Sequence, residues 1–280
     1  MTALGEYPPP GHVLGALGIE VLVDEERAAR ARLEAGPHVA GPDGSVRAGV
    51  VATLVDVVGG AIGARELHPD WMATADLTVH RVGSFAGPLV EAAGSVVRRG
   101  RSTMVVRSEV RVGPAGDGPM TGEPVAVATT TFAVLTARGG AGPVALAPLP
   151  ARTRFAGPAL GQPVVDAVGL SMRDEASGVV VLPLAAHVRN SFGALQGGVT
   201  ALVAEVSAAS ALRRALGRTP TVADLHLTYL AVPRVGPVTA TAEVLVAPPA
   251  AGWGTARVTL VDVGDGGRTV ALASAVAVAS

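Results

Sequence analysis

Two similar nine-residue patterns lie 149 positions apart in the chain, and each is followed by an apolar stretch that holds one acid. The second pattern reads Asn-Ser-Phe-Gly-Ala-Leu-Gln-Gly-Gly over 190–198, and its acid is Glu205. The first reads Gly-Pro-Asp-Gly-Ser-Val-Arg-Ala-Gly over 41–49, and its acid is Asp56. In both copies the acid lies nine positions beyond the Gln or the Arg. Matched spacing indicates two copies of one unit, and a lone carboxylate among apolar neighbours indicates chemistry, because burying it unpaired is costly.

The elements that must position these acids have the same order in both halves of the chain. Two β-like segments come first, the pattern follows as a loop, and then come one long apolar helix and three or four strands with period-two alternation. The segments rich in Gly, Pro and Ala between the halves predict a linker over 137–160, with domains over 1–136 and 161–280. The predicted elements are the β-like segments 18–35 and 164–186, the helices 49–66 and 197–216, and the strands 71–82, 89–98, 102–112, 125–136, 221–232, 238–247, 254–263 and 268–279.

Composition excludes several classes of protein. The net charge is −1 and the basic residues are scattered, which does not favour a nucleic-acid partner or an anionic membrane surface. The chain has no cysteine and no lysine, so thiolate metal sites, a cysteine nucleophile, a Schiff-base lysine and a P-loop lysine are excluded. The six His lack metal-ligand spacing. No apolar run reaches the length of a membrane span, and the Pro-rich beginning is not typical of a secretory signal, so we expect a cytoplasmic protein.

One long helix wrapped by an antiparallel sheet, repeated in two halves, is the outline of the hotdog fold. The pattern Asn-x2-Gly-x2-(His or Gln)-Gly-Gly, with an acid nine residues on, resembles the hotdog acyl-CoA thioesterases of the phenylacetyl-CoA type. The resemblance covers both halves and implies an α+β fold, a tandem (double) hotdog. It also implies an acyl-CoA thioesterase without metal or organic cofactor, in which coenzyme A is part of the substrate.

Thioester hydrolysis needs donors for the developing oxyanion and a carboxylate that activates water or attacks directly. A helix N-terminus supplies donors because its first N–H groups are unpaired and its dipole favours negative charge. The acid cannot serve its own helix start, since eight residues of helix rise about 12 Å, whereas a catalytic base must lie within about 3 Å of its proton. Each acid is therefore predicted to meet the helix start of the other copy, and the family resemblance implies the same crossing.

This crossing makes the two predicted sites unequal. The complete site combines Asp56 with Gln196, which can orient a carbonyl but cannot titrate, and with Gly197, where the thioester can approach the backbone closely. Asn190 adds a donor or holds the loop, and the resemblance adds Thr74, where related enzymes place a water-orienting Ser or Thr. The eroded site has Gly41, Arg47, Ala48, Glu205 and Val222 at the corresponding positions. Glu205 could still act, because some related enzymes use Glu.

Three arginines, Arg98, Arg99 and Arg101, cluster at a connection between strands. They would suit the phosphates of coenzyme A, and a solvated surface is the alternative interpretation. A non-catalytic acyl-CoA or lipid-binding hotdog protein is the alternative function. A hotdog dehydratase is disfavoured, because that class needs an Asp followed five residues later by a His, and the sequence has no such pair. Since each chain is already a pseudo-dimer, we expect chains to pair further into a homodimer.

Overall fold

The computed structural model describes residues 7–23, 27–68, 70–114, 116, 118–135, 150–155 and 157–279. Its helices within these ranges are α1 (Val13–Ala16), α2 (Ala48–Glu66), α3 (Val164–Ala167) and α4 (Gly197–Leu216). Its strands are β1 (Glu20–Val23), β2 (Ala28–Glu34), β3 (Trp71–Arg81), β4 (Leu89–Arg99), β5 (Thr103–Gly113), β6 (Ala126–Leu135), β7 (Arg152–Arg154), β8 (Ser171–Asp174), β9 (Val179–Leu182), β10 (Pro220–Tyr229), β11 (Val238–Val246), β12 (Trp253–Asp262) and β13 (Arg268–Ala279).

All of these strands form one antiparallel sheet in the order β7-β1-β2-β4-β5-β6-β3-β10-β13-β12-β11-β9-β8. The first half contributes β1 to β6 and the second β8 to β13, in mirrored order, so the halves meet where β3 pairs with β10. Alternating apolar side chains cover one face of the sheet with the buried core, in which α2 and α4 lie. The sheet thus wraps one long helix in each half.

The two long helices pack directly on each other near their starts. A Cβ on Gly49 would lie 2.5 Å from the Cα of Leu202, and a Cβ on Gly198 would lie 2.4 Å from the Cα of Thr53. Any side chain at either glycine would therefore separate the helices. The start of each helix therefore packs against the middle of the other helix, where the acid of that other helix lies.

The internal repeat extends to fine detail of the backbone. In both patterns a glycine with positive φ, Gly44 at 77° and Gly193 at 72°, turns the loop that leads into the helix. Both strands that follow the helices carry an irregularity at the same place, between Thr74 and Asp76 in β3 and between Val222 and Asp224 in β10. The halves therefore share one backbone design, and their differences lie in side chains.

The predicted long helices and the strands that follow them agree with the structure within two residues at each end, except that β10 ends at Tyr229, three residues before the predicted end at 232. The β-like segment 164–186 is partly wrong, because Val164–Ala167 form a helical turn held by backbone hydrogen bonds from Ala167 and Val168. Most of the predicted linker lies outside the described residues, and Arg152–Arg154 within it pair with β1. The domain boundaries stay predictions.

One helix, α2, is long and apolar enough to cross a membrane by length and composition alone. In the structure 78 % of its most apolar window is buried against the rest of the fold. This burial is the environment of a core helix, and the expected cytoplasmic location stays a prediction.

Candidate active site

The carboxylate of Asp56, in the middle of α2, lies at the start of α4. Thr74 on β3 donates its hydroxyl to Asp56 Oδ1 at 2.7 Å, and the Gln196 amide donates to Oδ2 at 3.2 Å. The backbone N–H of Gly198 also bonds this carboxylate. A Cβ on Gly197 would lie 2.7 Å from Oδ2, so the glycine leaves room for the acid. The structure thus brings Asp56, Thr74, Gln196 and Gly197 together across the two halves.

The surroundings of Asp56 tune its charge. Burial raises the pKa of Asp56 to about 6. The hydrogen bonds from Thr74 and Gly198 stabilise the carboxylate and oppose this rise. The acid is therefore ionised above about pH 6 and can take up a proton near neutrality, which a general base must do.

One N–H group in the first turn of α4 is unpaired within the described part of the chain. Gly198 N–H bonds Asp56, Val199 N–H bonds the side-chain oxygen of Gln196 at 2.9 Å, and Thr200 N–H bonds the Gln196 carbonyl at 3.1 Å. Among the described residues no acceptor forms a hydrogen bond with the Gly197 N–H. An unpaired donor at a helix start is where an anion or oxyanion binds.

Asn190 acts on its own loop. Its Oδ1 accepts the N–H groups of Phe192 and Ala194, both at 3.0 Å, so the side chain holds the turn that leads into α4. The residue before it, Arg189, accepts a hydrogen bond on its carbonyl from His12 Nε2 at 2.8 Å, which attaches the N-terminal segment to this loop. Asn190 also lines the cavity described next, so a contact with substrate stays a prediction.

A cavity of about 450 Å³ opens beside Asp56. Its floor is one face of α2, one wall is the beginning of β3, and the loop before α4 and the N-terminal segment lie over it. The chain has two Trp, two Tyr and four Phe, and six of these eight line this one cavity. They are Tyr7, Trp71, Phe132, Phe155, Phe192 and Tyr229. An apolar cavity with a few polar groups converging at one end is typical of a small-molecule site.

Sequence reasoning missed both tyrosines. Tyr229 donates its hydroxyl to the Gly197 carbonyl at 2.9 Å, and burial and then the charge of Asp56 raise its pKa well above the ordinary value. Tyr7 packs its ring on His12 at 5.2 Å, and burial likewise raises its pKa. The signal for Tyr229 was the asymmetry of the repeat, since Arg81 holds its position in the other half. Nothing local identified Tyr7, which reaches the site from far along the chain.

Glu205 lies at the start of α2 in the corresponding place, and it is enclosed. It is 4 % exposed, and it accepts the N–H groups of Gly49, at 3.0 Å, and of Ala48. Burial raises its pKa, while the Arg47 guanidinium 3.7 Å away and these N–H groups act against the rise. Glu205 does not line the cavity.

The first half carries different side chains at the positions that correspond to two cavity-lining residues. Where the cavity has Tyr229 and Pro233, the first half has Arg81 and Phe85. The Arg81 guanidinium stacks on the fully buried Phe85 ring at 4.6 Å and pairs with Asp43 at 3.3 Å. Positions that line the cavity in the second half therefore hold a cation, a ring and an ion pair in the first half.

Arg98 and Arg99 end β4, and Arg101 lies in the turn that follows. All three are exposed, and they do not line the cavity. Their turn lies beside β6, where Val134 N–H bonds the Ser102 carbonyl at 2.8 Å and Leu135 lines the cavity. Within the described part of the chain, no three His, Asp or Glu side chains are grouped to hold a metal ion.

Comparison with known proteins gives a consistent family. A family model described as the thioesterase superfamily matches residues 43–117 and 192–247, one segment in each half. The first segment contains Asp56 and Thr74, and the second contains Gln196 and Gly197. No curated protein matches the chain.

Solved structures that match nearly the whole chain agree with the predicted fold. The tesB protein of Mycobacterium avium subsp. paratuberculosis has 11 % identity and a TM-score of 0.63, over 96 % of this chain and 98 % of that one. A proposed thioesterase II of Thermobifida fusca has 18 % identity and a TM-score of 0.60, over 97 % and 98 %. A Bacillus halodurans protein crystallised with CoA has 31 % identity and a TM-score of 0.37, over 42 % and 74 %. The predicted α+β tandem hotdog is confirmed.

Proposed function

Because the chain belongs to the thioesterase superfamily, we propose that it hydrolyses an acyl-CoA thioester at the composite site between Asp56 and the start of α4. The observation that carries this proposal is the carboxylate itself. It is held by Thr74 and by Gln196 and Gly198 of the opposite half, it faces the cavity, and one N–H of the adjacent helix start is unpaired. These are the parts that thioester hydrolysis requires.

The mechanism assigns one role to each group. A water bound between Asp56 and the thioester gives its proton to the carboxylate while its oxygen attacks the carbonyl carbon. The resulting oxyanion accepts a hydrogen bond from Gly197 N–H, aided by the dipole of α4. When the intermediate collapses, the C–S bond breaks and Asp56 returns the proton to the departing thiolate. The products are a carboxylic acid and free coenzyme A.

The neighbours of Asp56 keep it in the productive geometry. Thr74 fixes Oδ1, and Gln196 caps the helix with its oxygen while its nitrogen fixes Oδ2. Tyr229 holds the Gly197 carbonyl, which orients the peptide plane next to the unpaired N–H. Direct attack by the carboxylate would use the same geometry, and a single turnover in ¹⁸O-labelled water would place label in Asp56 only by that route.

The finer parts of the proposal concern the carrier and the assembly. The exposed Arg98, Arg99 and Arg101 lie one strand from the cavity, and none forms an ion pair within the described ranges, so we assign them to the phosphates of coenzyme A. We also propose that the enzyme uses no metal or organic cofactor, that it is cytoplasmic, and that two chains form a homodimer.

The first experiment measures free-thiol release from short, long and aromatic acyl-CoAs. Asp56→Asn should lower kcat/KM by about 100- to 10,000-fold, because it removes the general base. Glu205→Gln is the matched control at the enclosed helix start. Its kcat/KM should remain within about threefold of wild type, a smaller change than the loss of one net hydrogen bond would cause. Circular dichroism and thermal unfolding confirm that both variants fold.

Other outcomes would change the assignment. Loss of turnover only in Glu205→Gln would mean that the working site is the enclosed one. If wild type cleaves no acyl-CoA but is stabilised by binding it, the chain is a binding protein and the proposed reaction is wrong.

A further inference from the structure

The cavity beside Asp56 is longer than the reacting group requires. Its floor follows α2 from Asp56 through Gly60 to Ala64, eight residues further on, and His68 lines it beyond the end of the helix. The helical part is about 12 Å long at the standard rise. Trp71 and Phe192, whose rings lie 4.8 Å apart, also line this space. The space is therefore a channel that leads away from the carboxylate.

The wall runs parallel to this floor. Thr74 contacts Asp56, and further along the strand the Met72 side chain occupies the position that a Cβ on Gly63 would take. A short acyl group on the thioester would leave most of the 450 Å³ unfilled. The lining along the channel is mostly apolar and includes aromatic rings, so it favours an apolar acyl group that extends through it.

Gly60 is the position in this floor at which a side chain would enter open space. It lies in the interior of α2, yet a Cβ built on it meets no atom within 4 Å, and it lines the cavity. Neighbouring Gly59 differs, because its Cβ would contact the Phe132 ring at 2.4 Å. A glycine within a helix costs about 0.5–1 kcal/mol relative to alanine, and packing does not require one at position 60. The missing side chain therefore leaves room for a ligand.

From this geometry we infer that the acyl group of the substrate is an extended apolar chain lying along α2, and that Gly60 sets the length that fits. This inference rests on the proposed thioesterase function. The unpaired hydroxyl of Tyr7, which has no hydrogen-bond partner among the described residues, lines the same cavity and would contact the polar end of the ligand. Each methylene buried in the channel should raise kcat/KM about fourfold until the channel is full.

The test is a series of straight-chain acyl-CoAs from acetyl to palmitoyl, assayed with wild type, Gly60→Ala and Gly60→Leu. For wild type kcat/KM should rise with length and then level off. Gly60→Leu should lower kcat/KM for the best wild-type substrate at least tenfold, leave acetyl- and butyryl-CoA within about threefold, and move the optimum to shorter chains, with Gly60→Ala between. Ala215→Leu, on the exposed side of α4, is the control for a leucine added to a helix and should keep the wild-type profile.

Two results would overturn the inference. One is a Gly60→Leu enzyme with the wild-type length optimum, and the other is a wild type that prefers a phenylacyl thioester whose rate Gly60→Leu does not change. If no thioester is cleaved, the proposed reaction fails separately, and binding of non-hydrolysable acyl thioether analogues decides the inference. Affinity that rises with chain length in wild type and stops rising earlier in Gly60→Leu supports it, and affinity independent of length contradicts it.

Discussion

The starts of α2 and α4 have the same backbone conformation, but among the described residues the N–H groups beside the acid are both paired in α2 and only one of them is paired in α4. At the start of α4, Asp56 takes one N–H, that of Gly198, and Gly197 N–H stays unpaired beside an open cavity. At the start of α2, the longer Glu205 accepts both N–H groups, and the Arg47 guanidinium lies 3.7 Å from its carboxylate. The second helical position, Gly49 or Gly198, is glycine in both halves and is needed for helix packing. The first helical position, Ala48 or Gly197, varies between the halves and faces the acid. One scaffold therefore supports a reactive site or a structural one, depending on a few side chains.

The largest effect we expect comes from removing the cation of the enclosed site. Arg47→Met should lower the free energy of unfolding by about 3 kcal/mol, because it leaves a buried carboxylate without its charged partner. Chemical denaturation at neutral pH measures this loss. The double variant Arg47→Met, Glu205→Gln should recover most of it, since the buried charge is then gone. A folded Arg47→Met protein without thioesterase activity would contradict the structural role of this site.

Gly197→Ala tests the room beside Asp56. The added Cβ would lie 2.7 Å from Oδ2 and must displace the carboxylate, which should lower kcat/KM by about 10- to 100-fold. The matched exchange in the other half, Ala48→Gly, should leave turnover unchanged and cost at most about 1 kcal/mol of stability. Equal losses of activity in the two variants would mean that the halves contribute equally.

A smaller effect is expected at Thr74, which is a valine in the other half. Thr74→Val removes one hydrogen bond to a charged group and should lower kcat/KM about tenfold.

Activity needs the ionised carboxylate of Asp56, so wild-type kcat/KM should fall as the pH drops through about 6. The lost hydrogen bond had lowered the pKa of Asp56, so the midpoint of the pH profile should move upward in the variant. A midpoint that stays in place would assign Thr74 to another role.

Much of the fold and part of the site could be predicted from the sequence, for identifiable reasons. Helices such as α2 and strands such as β12 follow local periodicity, and the rise of a helix, applied to the two copies of the repeat, predicted which acid meets which helix start. The linker strand β7 was missed because three residues with no pattern pair only through a distant partner. Tyr7 and the channel over Gly60 were missed for the same reason, since a cavity arises from elements that only the folded chain brings together. The roles of the site residues stay predictions.

The covalent connection between the halves has a consequence for handling the protein. A site shared by two separate subunits falls apart on dilution, because its parts must find each other by diffusion. Here Asp56 and the start of α4 belong to one chain and join in a continuous sheet, so their effective concentration is fixed by the fold. Turnover per chain should therefore be constant from dense to very dilute solution, whether or not chains associate.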